Sequence, residues 1–133
     1  MPAANSGHSQ EVIVDLADQL FTAIEQSDLA MLNQIFNDDI AVWRVGTRRD
    51  NDKERALTVL RWFIKVTTER RYEILDRQLF PTGFVQQHVL HAIGHNGGLI
   101  TLRACVVIKL GTNGLISRID EYVDPAKVDP LLS

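Results

Sequence analysis

The sequence predicts a single α+β domain, in which a curved antiparallel sheet folds over N-terminal helices. Apolar residues recur at helical spacing in the first half of the chain, and runs that alternate between two faces fill the second half. Helices followed by successive strands with short turns are typical of α+β folds. The 133 residues fit one domain, which we place over 1–133 with tails at 1–8 and 125–133.

Three segments in the first half have helical periodicity. The first spans about 10–26, with Ser9 as its N-cap, and its apolar residues share one face. The second is short and begins after Asp28. The third spans about 52–67, where Asn51 opens a capping box, and its broad apolar stripe indicates burial against a large surface such as a sheet.

Five segments are predicted to be strands, because they are rich in β-branched and aromatic residues between turn signals. They span 40–45, 71–80, 84–93, 99–110 and 115–123. Short hairpins would curve this sheet over the helices, with the first and third helices against its concave face. Wherever those helices leave the curve unfilled, a pocket remains.

Alternation along 99–110 separates a core face from an outer face. The even-numbered side chains are all apolar, so they face the core. The odd-numbered side chains are Thr101, Arg103, Cys105, Val107 and Lys109. Their apolar middle, Cys105 and Val107, favours a homodimer through the outer sheet face, although a half-solvated sheet is equally ordinary.

Glu121 is the leading candidate for acid–base chemistry. It shares a strand face with Ile119 and Val123, which puts its carboxylate on the core side. Desolvation there favours the protonated form, and this produces a general acid or base near neutral pH. The structural alternative is a glutamate paired with an arginine at a strand end. A slip of one residue in register would put Asp120 in its place.

The segment 84–93 offers a second pair of candidates. Its two faces carry Val85, Gln87, Val89 and His91 on one side and Gln86, His88 and Leu90 on the other. Two valines favour the first set as the concave face, so Val89 would line the pocket and Gln87 and His91 would project into it. A neutral histidine can donate, accept or shuttle a proton. The structural alternative is that His91 is hydrogen-bonded at the rim.

The pocket wall is expected to include residues from the first strand and the third helix. Trp43 and Arg44 point to opposite faces of their strand, so one of them reaches the pocket. Trp43 would supply an aromatic wall, whereas Arg44 would supply a charge partner for Glu121. From the third helix, Leu60 and Phe63 are predicted to contact substrate.

Composition and motifs argue against several classes of function. The net charge of −3 gives no reason to expect nucleic-acid binding, and no apolar run is long enough to span a membrane. We interpret the Arg70-Arg71 pair as solvated charges. His88, His91 and His95 are not expected to bind a metal, because strand residues three apart face opposite ways. The single cysteine and the lack of a signal-peptide pattern predict a cytoplasmic protein.

Three stretches resemble the nuclear transport factor 2-like superfamily, in its SnoaL-like and ketosteroid-isomerase-like branch. They are FNDDIAVW at 36–43, VQQHVL at 85–90 and NGLISRIDEYVD at 113–124. The resemblance covers about residues 10–125. It implies a cone-shaped, curved antiparallel sheet wrapped around three N-terminal helices, with a deep apolar pocket and no cofactor.

The final strand resembles that of the limonene-epoxide hydrolases, which carry a catalytic Asp directly before Tyr-x-Asp. Glu121 occupies that position here, before Tyr122-Val123-Asp124. Those hydrolases also use an Arg-x-Asp pair on an earlier strand. Gln87 and Val89 have the spacing of this Arg-x-Asp pair, and neither of these residues is charged.

The residues and the resemblance together predict a cofactor-independent acid–base enzyme, which would be an isomerase, dehydratase, cyclase or hydrolase. Its substrate would be a small apolar molecule of steroid, terpenoid or polyketide type. Glu121 would be the general acid or base, tuned by Arg44, and His91 and Gln87 would polarise or orient the substrate. The alternative is a module of the same fold that binds a small ligand or dimerises without catalysis.

Overall fold

The computed structural model describes residues 7–131, which form the predicted α+β fold around a curved five-stranded sheet. The helices are α1 (Gln10–Glu25), α2 (Leu29–Ile35) and α3 (Lys53–Val66). The strands are β1 (Phe36–Arg44), β2 (Thr67–Phe80), β3 (Gly83–Gly94), β4 (Leu99–Leu110) and β5 (Ile116–Val123), and a 3₁₀ helix covers Pro125–Leu131. No helix in the described part of the chain is long and apolar enough to cross a membrane.

The sheet is mixed, so the prediction of a fully antiparallel sheet is wrong for one pair of strands. The strand order is β1-β5-β4-β3-β2. Three antiparallel pairs join β2 through β5, but β1 runs parallel to β5. The reason is that α3 separates β1 from β2, so β1 is free to close the far edge of the meander. Two register shifts interrupt β2 and bend this edge strand.

Side-chain caps determine where the helices begin. Ser9 and Asp28 cap α1 and α2, as the sequence predicts. The cap of α3 is Asp52, so the predicted capping box at Asn51 is wrong. Asn51 instead exchanges two backbone hydrogen bonds with Val42, at 2.7 and 2.9 Å. This bridge fixes the loop between β1 and α3 against β1.

Arg70 is buried, which corrects its interpretation as a solvated charge. Its Nε donates to the carbonyl of Ile24 at the end of α1 (2.8 Å), and its Nη1 reaches the carbonyl of Ile64 near the end of α3 (3.3 Å). Nη1 also donates to the Thr67 hydroxyl at 2.6 Å. One arginine on β2 therefore adds side-chain hydrogen bonds to carbonyl groups at the C-terminal ends of two helices. The same carbonyls also accept from the backbone N–H groups of Ser27 and Thr67.

Parts of both predicted tails are attached to the domain. The backbone N–H of His8 donates to the carbonyl of Pro81 at 2.7 Å, and its imidazole bonds to the carbonyl of Gly111. At the other end, Leu131 is buried in a small cluster with Ala92 and Ile100, separate from the main core. Residues 1–6 and 132–133 of these predicted tails lie outside the described residues.

Candidate functional site

A cavity lies between the inner face of the sheet and α3. It has an inner chamber of about 90 Å³ next to α1 and an outer chamber of about 380 Å³ next to the 3₁₀ helix. Residues that border both chambers are Arg44, Val59, Leu60, Tyr72 and Glu121. The broad apolar stripe of α3 faces this space, which explains why Ala56 is its single fully buried residue.

Glu121 and Arg44 form an ion pair at the junction of the two chambers. Glu121 lies on β5 with Ile119 and Val123 on the same face, and all three border the cavity. Arg44 is its register partner on β1, and the Arg44 Nε donates to Glu121 Oε1. The side chains of Arg44 and Glu121 are 35% and 21% exposed, so the pair is in contact with both cavity and solvent.

The neighbours of this pair in sequence face outward. Trp43 packs on the outer face against Tyr122, with ring centroids 5.3 Å apart. Asp120 accepts hydrogen bonds from Arg118, which also pairs with Asp50. These carboxylates raise the pKa of Arg118 further above its ordinary value. Arg44 rather than Trp43, and Glu121 rather than Asp120, therefore reach the cavity.

The predicted orientation of β3 is wrong. Gln87, Val89 and His91 lie on the outer face of the sheet and border neither chamber. The His91 imidazole is hydrogen-bonded to the Glu73 carboxylate at 2.9 Å. The side-chain oxygen of Gln87 accepts a long hydrogen bond from Arg103 at 3.4 Å. The structure therefore gives none of these three residues a place beside Glu121.

Pairing with β4 explains the reversal. Gln86 lies opposite Val106 and His88 lies opposite Ala104, and opposite residues on neighbouring strands share a face. Because the even-numbered side chains of β4 form the core, those of β3 do too. The signal was present in the sequence: Phe84, Leu90 and Ala92 are all even-numbered and outweigh two valines when the whole strand is compared.

His88 borders the inner chamber, and the sequence analysis gave it no role. It is 2% exposed, and burial lowers its pKa below the ordinary value of 6.5, against the opposing effect of the Glu121 charge. His88 is therefore a neutral imidazole at physiological pH. Its Nδ1 lies 2.9 Å from the side-chain amide nitrogen of Gln86.

Tyr72 borders both chambers and was also missed. Its ring packs against Phe21 and His88, with centroids 4.9 Å away in each case. Burial raises its pKa above the ordinary value, and the charges of Glu121 and Glu25 add to this shift. The Tyr72 hydroxyl therefore keeps its proton and can act as a neutral hydrogen-bond donor.

The remaining predicted contacts come from α3. Leu60 borders both chambers and Phe63 borders the outer one. Pro125 and Val128, from the predicted C-terminal tail, complete the wall of the outer chamber. The site thus combines a carboxylate, its counter-charge, a phenol and a neutral imidazole in a mostly apolar cavity, whose other polar lining residues are Thr47, Asn51 and Asp124. Such a set can bind a small molecule and exchange a proton with it.

Comparison with known protein families and with curated proteins finds no match. Solved structures do match. An LEH-like epoxide hydrolase from Mycobacterium tuberculosis superposes with a TM-score of 0.75 at 17% identity, covering 92% of this chain and 90% of that one. The Δ5-3-ketosteroid isomerase from a Mycobacterium species gives 0.75 at 18% identity, covering 87% and 95%.

A third similar structure is an NTF2-like protein of unknown function from Cytophaga hutchinsonii, with a TM-score of 0.68 at 17% identity over 91% and 95% of the two chains. The chain therefore has the nuclear transport factor 2-like fold, as its sequence motifs indicate. At these identities the likeness concerns the fold, and function has to be argued from the site.

Proposed function

We propose that this protein is a cofactor-independent acid–base enzyme that acts on a small apolar molecule in the cone cavity. The observation that carries the proposal is the position of Glu121, whose carboxylate borders both chambers while Arg44 holds it from β1. The outer chamber, at about 380 Å³, is within the usual size range of ligand sites.

Glu121 is the proposed proton-transferring group. In the direction of base catalysis it takes a proton from the substrate or from a water molecule, exchanges it with solvent, and delivers a proton in a later step. Arg44 balances its negative charge and fixes the orientation of its carboxylate. The Tyr72 hydroxyl is the proposed donor to oxygen that becomes negative during the reaction. The mostly apolar walls favour an apolar substrate, which we propose to be a steroid-, terpenoid- or polyketide-like molecule.

The functions of similar structures support this proposal at the level of chemistry. One is named an epoxide hydrolase and another a ketosteroid isomerase, and both names describe reactions of small molecules. The two reactions differ in one useful respect. An isomerase moves a substrate proton, whereas a hydrolase adds the oxygen of water.

The first experiment is a ligand screen by thermal shift with ring ketones, sterols, terpenoid epoxides and aromatic polyketides. A ligand that binds the native state raises the melting temperature. Each ligand that binds is then incubated with the protein in ²H₂O and in H₂¹⁸O and analysed by mass spectrometry. Deuterium incorporation reports proton abstraction, and ¹⁸O incorporation reports hydrolysis.

Glu121→Gln is the decisive variant, with Asp120→Asn as its matched control on the opposite strand face. We expect isotope incorporation to fall by about 10²–10⁴-fold in Glu121→Gln and to stay near the wild-type rate in Asp120→Asn. Full incorporation in Glu121→Gln would contradict the proposal. Binding without incorporation of either isotope and without conversion of the ligand to a product in the wild type would support the alternative, a non-catalytic binding module.

A further inference from the structure

A chain of polar side chains runs from the surface of α1 to the inner chamber, apart from the Arg44–Glu121 pair. Asp18, which is 60% exposed, accepts from Arg77 Nη1 at 3.0 Å. Arg77 Nε donates to Gln86 Oε1 at 2.8 Å. The Gln86 side-chain nitrogen lies 2.9 Å from His88 Nδ1. Gln86 and His88 are 0% and 2% exposed, so water does not compete for these contacts.

The chemistry of the chain fixes the direction of each hydrogen bond. A guanidinium can only donate, so the amide oxygen of Gln86 must face Arg77 and its NH₂ must face His88. That NH₂ donates to Nδ1, which therefore accepts and carries no proton. Because His88 is neutral, its one ring proton must be on Nε2.

Arg77 is held in place from a second direction. Its guanidinium carbon lies 5.6 Å from the centre of the Phe84 ring, and its side chain is 14% exposed. The Phe84 ring is itself fully buried. Arg77 thus has little freedom to turn away from Gln86, and Gln86 has little freedom to flip its amide.

The Nε2–H group is left for a ligand. Within residues 7–131 no protein group hydrogen-bonds Nε2, and the ring borders the inner chamber between Phe21 and Tyr72. A ligand with an acceptor oxygen at this end of the cavity satisfies the donor. A hydrocarbon of the same shape leaves it unpaired, at a cost in affinity.

We propose that His88 is a fixed neutral donor that selects ligands carrying a carbonyl or epoxide oxygen, and that Asp18, Arg77 and Gln86 position it. This inference names the substrate class of the proposed acid–base site and rests on that proposal. It also gives a role to Arg77 and Gln86, which are bonded to each other but border neither chamber. Neither residue is hydrogen-bonded to the Arg44–Glu121 pair. Gln86 and Arg77 are positioning residues, and His88 is the group that touches the ligand.

The tautomer is measured first, on the ligand-free wild-type protein. Two-dimensional ¹H–¹⁵N spectra of the imidazole at neutral pH distinguish protonated from unprotonated ring nitrogens. We expect the His88 Nε2 resonance to be of the protonated type and Nδ1 to be of the unprotonated type. A protonated Nδ1, or rapid averaging between the two tautomers, overturns the inference whether or not the protein is an enzyme.

Selection is measured with camphor and bornane, which share one carbon skeleton and differ by the carbonyl oxygen. We expect the wild type to bind camphor about 10- to 100-fold more tightly than bornane. His88→Phe keeps an aromatic ring against Phe21 and Tyr72, and it should lose that preference while bornane binding stays unchanged. Equal binding of the two probes by the wild type overturns the inference.

The positioning role is tested with Gln86→Leu, and Gln87→Leu on the exposed outer face is the matched control. Gln86→Leu should produce a mixture of His88 tautomers and reduce the camphor preference, whereas Gln87→Leu should change neither. An unchanged tautomer in a folded Gln86→Leu variant overturns the role of Gln86. If that variant does not fold, the wild-type spectrum and His88→Phe still decide. If the wild type prefers camphor but incorporates neither isotope into any ligand, the proposed enzymatic activity is rejected and the role of His88 in ligand recognition is retained.

Discussion

Arg44 lies directly opposite Glu121 in the parallel pairing of β1 and β5, and its Nε donates to the Glu121 carboxylate. Because register partners share a face of the sheet, the two side chains enter the cavity together. Trp43 and Asp120 are also register partners, and their side chains both point away from the cavity. The register of β1 and β5 therefore places the Glu121 carboxylate and the Arg44 guanidinium side by side in the cavity.

Tyr72→Phe tests the hydroxyl that borders both chambers. The ring contacts with Phe21 and His88 are kept, so we expect the free energy of unfolding to change by less than about 1 kcal/mol. Turnover of the substrate found by screening should fall by about 10²-fold, because a donor to developing negative charge is lost. Steady-state kinetics and urea unfolding measure the two effects. Tyr122→Phe, on the outer face, is the control and should retain wild-type turnover.

His88 should make the fold less stable in acid. The pKa of His88 in the native protein is lower than the unfolded value of 6.5. Below pH 6.5 the unfolded chain therefore binds a proton at His88 more readily than the native protein does. The free energy of unfolding should therefore fall as the pH drops below 6.5, by at most about 1.4 kcal/mol per pH unit for one proton.

Urea unfolding at a series of pH values from 7.5 to about 5 measures this contribution. In His88→Gln the part of the slope due to His88 should disappear, while His95→Gln at an exposed position should keep the wild-type profile. Identical pH profiles for wild type and His88→Gln would mean that the buried imidazole titrates normally.

Arg70→Met should be strongly destabilising. The variant removes three side-chain hydrogen bonds from a buried place, namely those to the carbonyls of Ile24 and Ile64 and to the Thr67 hydroxyl. We expect a loss of about 2–4 kcal/mol in the free energy of unfolding, measured with urea. Arg71→Met removes the adjacent, exposed arginine and should cost less than about 0.5 kcal/mol. Similar losses for both variants would show that Arg70 does not cap the helices.

We propose that two copies of the chain associate through the outer face of the sheet, around Cys105 and Val107. Both side chains are half-buried there in the isolated chain, and Tyr122 nearby is 49% exposed. Light scattering after size exclusion should give twice the chain mass for the wild type. Val107→Glu should give a monomer, since it buries a charge in the contact. Val12→Glu, at an exposed position on α1, should remain dimeric, and a monomeric wild type would reject the proposal.

Local signals in the sequence were sufficient for α1, for the start of α2 and for the orientation of Glu121 on β5. The caps Ser9 and Asp28 and the apolar face of α1 depend on residues close together in the chain. The orientation of Glu121 followed from its neighbours Ile119 and Val123. Such features are decided within one element, where the periodicity of the side chains is a direct guide.

Features that depend on contacts between distant segments could not be predicted in this way. The orientation of β3 is set by its pairing with β4, and the valines at 85 and 89 gave the wrong face. The burial of Arg70 depends on where α1 and α3 end relative to β2. Tyr72, His88 and Glu121 border the inner chamber from three separate strands, and no short sequence motif indicates that they lie around one cavity.

The 3₁₀ helix at 125–131 forms part of the cavity wall but is attached outside the main core. Its residues Pro125 and Val128 wall the outer chamber, but Leu131 packs in the small cluster with Ala92 and Ile100 and not in the main core. A hydrogen bond from the Asn96 side chain to the carbonyl of Pro130 (3.0 Å) also holds this segment. Because these attachments lie outside the main core, we expect the backbone amides of this segment to exchange with solvent faster than those of β4, which hydrogen exchange would measure.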